Sequence, residues 1–239
     1  MIDVLIDNLN ARDELNAQEI AHLATIVTSE RLVAPGQDIV PEGSRPMTSV
    51  LLLDGIAARY RVMNDGKRQI TALHVPGDFM DLHAFLLKTM DQGVLALSRC
   101  RIAIATHSDL QRTTETMPHL TRLLWLLTVI DGAIHREWIA SMGRRSTKAH
   151  LAHLICEVYI RLKIVGKTDN GSFHLALSQA VTADVLGISI VHLNKTLQSL
   201  RRDGVFRWDG QKVSILDWIK LTKIAEFDDT YLNLVHEPR

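Results

Sequence analysis

The sequence predicts an α+β protein in three parts: an N-terminal antiparallel β-roll, one long helix, and a C-terminal pair of helices with a β-hairpin behind it. Three observations carry this prediction. Between residues 31 and 108, short apolar runs are broken by Gly36, Gly43, Gly55, Gly66 and Gly77, a spacing of about ten residues that suits short strands joined by turns. Residues 118–142 then hold one glycine and no proline after Pro118, with apolar side chains stepping by three and four. Residues 175–215 contain two helical stretches on either side of Gly187 and a turn signal downstream.

The chain of 239 residues is 46% hydrophobic and 23% charged, which excludes collagen-like, disordered and low-complexity classes and leaves room for two small domains. Its zero net charge hides an uneven distribution. Residues 1–143 sum to −4, residues 144–223 to +7 and residues 224–239 to −3, so the third segment is a basic module. Cys100 and Cys156 are the only cysteines, too few and too far apart for a disulfide framework or a zinc or iron–sulfur knuckle. The N-terminus lacks a basic stretch followed by an apolar one, and no window approaches 18 uninterrupted apolar residues. A cytoplasmic protein without a membrane span is expected.

In chain order, residues 1–28 form a helical lead-in, with Asn16 placed to cap a helix three residues before Glu19. The roll follows, its clearest hairpin turn at Asn64-Asp65-Gly66. Lys67 and Arg68 after it read as a solvated loop. Ser108 is placed to cap a short helix from Asp109. In the long helix, Leu120, Leu123, Leu127, Ile130 and Ile134 follow a 3-4-3-4 step for two heptads, the seam of a parallel helix pair. A second apolar row, Leu124, Leu126, Val129, Ala133 and Trp138, covers adjacent faces. The first row therefore reads as a dimerisation seam, and equally fits a helix buried within one chain. Arg144-Arg145-Ser146 after Gly143 breaks the pattern, and Ser146 caps the next helix. The boundaries expected are 1–117 for the β-roll with its lead-in, 118–143 for the long helix and 144–239 for the C-terminal domain.

The C-terminal segment carries the function. Ser178 caps a helix over 179–186, Gly187 ends it, and Ser189 caps a second helix over 190–201, with Val185, Leu186, Ile188, Leu193, Leu197 and Leu200 inward. Glycine suits the turn because it takes a left-handed conformation without steric cost. The arrangement is a helix-turn-helix. It leaves Ile190, Val191, His192, Asn194, Lys195 and Gln198 on an outward face able to enter a major groove. The hairpin around Asp209-Gly210 is a wing. Ile190, Val191, His192, Asn194 and Lys195 are assigned to base reading. Ser178, Gln179, Ser189, Arg201 and Arg202 are assigned to the DNA backbone. Thr182 is a polar residue within the first of these helices and is given a phosphate-facing alternative.

From about residue 31 to 225 the chain resembles the Crp/Fnr superfamily of bacterial transcription regulators. The resemblance rests on the glycine-marked strands ending in Pro76-Gly77-Asp78-Phe79, the helix after Pro118, Gly143-Arg144-Arg145-Ser146, and residues 177–205. It implies a cyclic-nucleotide-binding-like jelly roll as an effector-type domain. It also implies a dimer helix and a winged helix-turn-helix that binds palindromic promoter sites as a homodimer and touches RNA polymerase. Two departures bear on the effector. Asp81-Leu82 stands where cyclic-nucleotide-binding members carry Gly-Glu for the ribose, and Gln92-Gly93 stands nearest their phosphate-binding Arg-Ser. Loss of the arginine removes a charge-assisted contact, so the expected effector is a small molecule other than cyclic AMP, or none. The first thirty residues contain no cysteine, which excludes the iron–sulfur centre of the oxygen-sensing branch. The recognition helix departs as well, with Ile190, Val191 and Lys195 replacing the usual Arg-Glu start and later Arg.

No cofactor is expected. His74, His83 and His107 lie in or near the roll without an HxH pair, and His150 with His153 at i and i+3 reads as polar helix surface rather than a metal clamp. Cys100 reads as a small core residue in a strand, against a redox role suggested by Arg99 and Arg101, and Cys156 reads as core. No nucleophile–base pair, P-loop or dinucleotide fingerprint is present, so the protein is not expected to be an enzyme. The alternative function is a β-roll sensor or interaction protein with a degenerate helix-turn-helix.

Overall fold

The computed structural model describes residues 2–66 and 68–239. The lead-in is two helices, α1 (Asp3–Asn10) and α2 (Ala17–Ile26). Asn16 caps α2 in a reciprocal box with Glu19, as its spacing predicts. Seven strands follow: β1 (Val27–Val33), β2 (Asp38–Val40), β3 (Thr48–Asp54), β4 (Ala57–Val62), β5 (Arg68–His74), β6 (Gly93–Ala96) and β7 (Cys100–Thr106), with the short helix α3 (Ala84–Leu87) before β6. They form two antiparallel sheets, ordered β1-β7-β3 and β2-β6-β4-β5. A core that includes Val40, Leu52, Ala57, Met80, Met90, Val94, Cys100 and Ile102 fills the interior of the roll. Gly55 is required at its corner: φ is +94°, and a Cβ there would lie 2.5 Å from the Arg99 carbonyl oxygen.

Helices α4 (His107–Thr116), α5 (Pro118–Arg144) and α6 (Thr147–Ile164) come next. Thr106, not Ser108, caps α4, its hydroxyl accepting from the Asp109 N–H at 3.1 Å. Gly143 lies inside α5, and the break falls at Arg145, whose backbone is extended (φ −74°, ψ 147°). Ser146 caps α6 through the Ala149 N–H at 3.2 Å. The last module comprises β8 (Thr168–Asp169), β9 (Ser172–His174), α7 (Gln179–Leu186), α8 (Ile190–Arg202), β10 (Phe206–Asp209), β11 (Lys212–Ile215) and α9 (Trp218–Ala225), then a 3-10 turn, Asp229–Leu232. Its sheet runs β10-β11-β9-β8.

The structure corrects three further expectations. The seam Leu120, Leu123, Leu127, Ile130 and Ile134 faces the chain's own interior. Leu120 and Leu123 are fully buried beneath the lead-in and β-roll, Leu127 packs against that cluster, and Ile130 and Ile134 join the core shared with the C-terminal module. The outward row of α5 is Arg122, Trp125, Val129, Arg136 and Ile139, with half-buried Gly132 in its middle. Burial of the first row is stronger because α5 lies along the roll and needs a continuous apolar face there. Second, His150 and His153 are not surface groups: they are 6% and 1% exposed, and His153 stacks on Tyr231 at 5.8 Å. Third, Arg68 belongs to β5 and pairs with Asp184 at 3.4 Å, while Lys67 lies outside the described residues.

The two modules share one core. Ile56, Ala58, Ile70, Leu73 and Val75 of the roll cluster with Leu154, Ile155 and Val158 of α6 and with Val185 and Leu186 of α7. The same face carries ionic links: Arg161 on α6 reaches Asp78 at 2.5 Å and the Leu73 carbonyl at 3.0 Å.

Candidate nucleic-acid interface

Local chemistry builds the helix-turn-helix as the residue pattern predicts. The Ser178 hydroxyl accepts from the Val181 N–H at 3.2 Å and that of Ser189 from the His192 N–H at 3.2 Å, so each helix N-terminus has one orphan donor satisfied. Gly187 caps α7 in the left-handed region, with φ +65° and ψ 32°. Val185, Leu186, Leu193 and Leu200 are buried, and Ile188 and Leu197 pack against the same core. Thr182 belongs to this interior too: it is 2% exposed and its hydroxyl donates to the Ser178 carbonyl at 2.9 Å, so it faces no phosphate.

What remains outside is the N-terminal half of α8. Ile190 and Val191 are 46% and 66% exposed, His192, Lys195 and Gln198 are exposed, and Asn194 is half-buried on the flank. Exposed branched aliphatics at the first turn of a helix gain nothing from the fold itself and suit thymine methyl groups. Lys195 has no ion-pair partner among the described residues, so its ammonium is available.

The residues assigned to the DNA backbone surround this face. Ser178, Gln179, Ser189, Arg201 and Arg202 are all exposed. Arg201 is partly committed, since one Nη donates to the Trp208 carbonyl at 2.9 Å and ties α8 to the wing. The wing supplies two exposed cations that the residue pattern did not single out, Arg207 and Lys212. Strand alternation was the available signal: Phe206, Trp208 and Val213 point inward, which turns Arg207 and Lys212 outward. The nearby acid Asp203 is engaged by Lys148 at 2.5 Å, and that contact holds its carboxyl below the usual range.

The side chains that stand where the resemblance would put cyclic-nucleotide ligands are turned to other work. Asp81 is buried, its Oδ1 accepting from the Val50 N–H at 2.6 Å, and burial pushes its carboxyl up to about 7. Leu82 packs against the N-terminal cluster rather than the roll interior. Gln92 accepts from the Thr71 hydroxyl at 2.5 Å. Arg59, 5% exposed, points across to α5 and binds Asp131, leaving its charge satisfied inside the chain.

Comparison with known proteins agrees with this geometry. The family model of the Crp-like helix-turn-helix domain matches residues 149–224, and that of the cyclic nucleotide-binding domain matches residues 30–116. The chain is 25% identical over 217 residues to the transcriptional activator protein FnrL of Cereibacter sphaeroides, covering 89% of this chain and 86% of FnrL. It is likewise 25% identical over 214 residues to the nitrogen fixation regulation protein FixK of Bradyrhizobium diazoefficiens, covering 89% and 87%. Among solved structures, FixK2 from Bradyrhizobium japonicum superimposes with a TM-score of 0.74 at 20% identity, covering 82% of this chain and 96% of FixK2.

Proposed function

Because the chain belongs to the Crp/Fnr family of DNA-binding transcription regulators, we propose that it reads palindromic promoter sites as a homodimer and presents the bound complex to RNA polymerase. The exposed first turns of α8 carry this reading: Ile190, Val191 and Lys195 stand clear of the fold on a buried, capped scaffold. Ile190, Val191, His192 and Lys195, with Asn194 at the flank, contact bases. Ser178, Gln179, Ser189, Arg201 and Arg202, joined by Arg207 and Lys212, contact phosphates.

The outward row of α5 supports the dimer. Arg122, Trp125, Val129, Gly132, Arg136 and Ile139 repeat at steps of three and four, and Trp125 and Ile139 are 69% and 66% exposed. Gly132 lets a second helix approach closely, while the two arginines fix register at some cost in stability. Among the described residues no helix is long and apolar enough to cross a membrane, and the site of action proposed is the cytoplasm. The roll responds to a ligand other than a cyclic nucleotide, or to none, because Asp81, Leu82 and Gln92 are committed elsewhere.

Selection of bound fragments from a random DNA pool tests the reading. A two-fold symmetric motif with half-sites about one helical turn, roughly 34 Å, apart is expected. Recovery of unselected sequence, with a salt dependence but no motif, would return the chain to the alternative of a sensor with a degenerate helix-turn-helix.

A further inference from the structure

The only covalent connection between α5 and the reading head is the short link at Arg145 and Ser146. Such a link alone permits a wide range of head orientations. Besides the shared apolar core and the Arg68–Asp184 and Lys167–Asp54 pairs, the structure narrows that range at three places. Arg161 on α6 donates to the Leu73 carbonyl at 3.0 Å and pairs with Asp78 at 2.5 Å, both on the roll. Gln69 on β5 donates its amide to the Asp184 carbonyl at 3.1 Å, in the last turn of α7.

The third tie is the chain beyond α9. Residues 226–239 run back from the head towards the N-terminal lead-in. Arg145 donates to the Glu226 carbonyl at 3.2 Å. Phe227 and Tyr231 flank His153, and the Tyr231 hydroxyl donates to Glu157 at 3.0 Å. Leu232 is fully buried, and its carbonyl accepts from Arg12 at 3.0 Å. Further along, the Glu237 N–H donates to the Arg12 carbonyl at 3.0 Å and the Arg239 N–H to Asp13 at 2.5 Å. Arg12 is 3% exposed, and it donates to the Asn8 carbonyl, the Asn8 side chain and the Leu232 carbonyl. A buried guanidinium is costly to leave short of acceptors, so the Leu232 contact is strongly held. The tail therefore joins the module that reads DNA to α1, which packs on the roll.

We propose that residues 226–239 are a clasp that fixes the reading head relative to α5 and thereby sets the half-site spacing the dimer accepts, with Leu232, Tyr231 and Arg12 as spacing-determining positions. This rests on the dimer reading above. In a two-fold dimer built along α5, the distance between the two α8 helices depends on how each head sits on its own roll. One added base pair moves a half-site by about 3.4 Å and turns it by roughly 36°. A clasped head cannot follow both changes, whereas a head held only by its link and the remaining ties follows them at smaller cost.

The test uses the full-length protein, its Leu232→Asp variant and its Arg12→Gln variant. Affinity is measured for the selected palindrome, for the same palindrome with one or two base pairs added between half-sites, and for base changes inside one half-site. The intact protein is expected to lose about tenfold for the altered spacing, comparable to one mismatched base pair. Both variants are expected to lose less than about threefold for the same insertion, while base changes within the half-site cost them what they cost the intact protein. A purely structural role would weaken all these sites together. Retention of the full spacing penalty by a folded Leu232→Asp protein would overturn the proposal. Where Leu232→Asp does not fold, the Arg12→Gln result decides in the same way. Absence of any palindromic binding by the intact protein would instead overturn the dimer reading.

Discussion

Arg59 on β4 donates to the Asp131 carboxylate on α5 at 2.9 Å, across 72 residues of sequence, and binds the Met80 carbonyl at 2.7 Å with a second Nη. His135, one turn along α5, lies 3.2 Å from the same guanidinium. The pair locks the long helix to the roll. Burial disfavours the Asp131 anion, but Arg59 and the neighbouring His74 and His135 hold its carboxyl below the usual range.

Asp131→Asn leaves the Arg59 cation 5% exposed with the Met80 carbonyl and His135 as its remaining partners. The loss in urea unfolding is expected to be roughly 2 kcal/mol, at the low side for broken buried pairs because the Asp131 side chain keeps 27% exposure. The double variant Arg59→Met, Asp131→Leu removes both charges and is expected to recover most of it. An Asp131→Asn midpoint equal to that of the parent protein would show the pair to be neutral.

Histidines give the stability profile two limbs. His119 bonds to Asp13 at 2.9 Å and Glu19 at 2.7 Å; the Asp13 bond first, then Glu19, raises its pKa against partial burial. Its contribution is complete below about pH 6.5 and disappears as pH rises through the higher folded value. His150 and His153 behave oppositely: burial, then the Arg145 charge, lowers them to about 4 and about 3. They stay neutral in the fold while the unfolded chain takes up protons, so their contribution is lost as pH falls from about 6.5 towards those values. Thermal melting from pH 4 to 9 should show both slopes, and His119→Gln should flatten only the alkaline one. An unchanged alkaline slope in His119→Gln would remove the assignment.

The helix-turn-helix was legible from residue types because its determinants are local: two serine caps, one left-handed glycine and a run of apolar positions within thirty residues of one another. The β-roll was legible from its turn glycines for the same reason. The facing of α5 was not. Leu120, Leu123, Leu127, Ile130 and Ile134 and the outward row share the same 3-4 step, and periodicity cannot say which stripe a distant sheet will cover. The burial of His153 depends on Phe227 and Tyr231, more than seventy residues downstream. The clasp itself has no local signature: Arg12 finds the Leu232 carbonyl 220 residues away.

Which stripe of α5 pairs is decided by charge insertion. Val129→Glu places a carboxylate on the outward row, where Val129 is 49% exposed, and in a helix pair it would be desolvated without a partner. Sedimentation should report a folded monomer with weakened DNA binding. Leu127→Glu is expected to lower the melting temperature instead, because that side chain packs within the chain. A dimeric Val129→Glu protein would exclude this face.

The roll is expected to give no binding isotherm with cyclic AMP or cyclic GMP. Gln92 is held by Thr71, Leu82 packs outside the interior, and Asp81 is spent on the Val50 N–H. A neutral amide also supplies no charge-assisted contact to a cyclic phosphate. Titration calorimetry returning a micromolar dissociation constant for either nucleotide would refute this.

Base reading and backbone anchoring separate in the response to single truncations. Lys195 is exposed on α8 with no competing ion pair among the described residues, and a long donor there reaches guanine O6 and N7. Lys195→Ala should cost about 1–3 kcal/mol at the selected site and relax the preference at one base step per half-site. Arg202, exposed at the far end of α8, is placed for phosphate. Its truncation to Ala should weaken all sequences alike and reduce the salt slope by about one for each phosphate it no longer neutralises. Arg201 differs from its neighbour because it also holds the Trp208 carbonyl. Arg201→Ala should therefore loosen the wing and weaken binding more than Arg202→Ala, again without changing the motif. Fragment selection repeated with the three variants distinguishes these outcomes: a motif unchanged by Lys195→Ala, or altered by Arg202→Ala, would reverse the roles assigned to them.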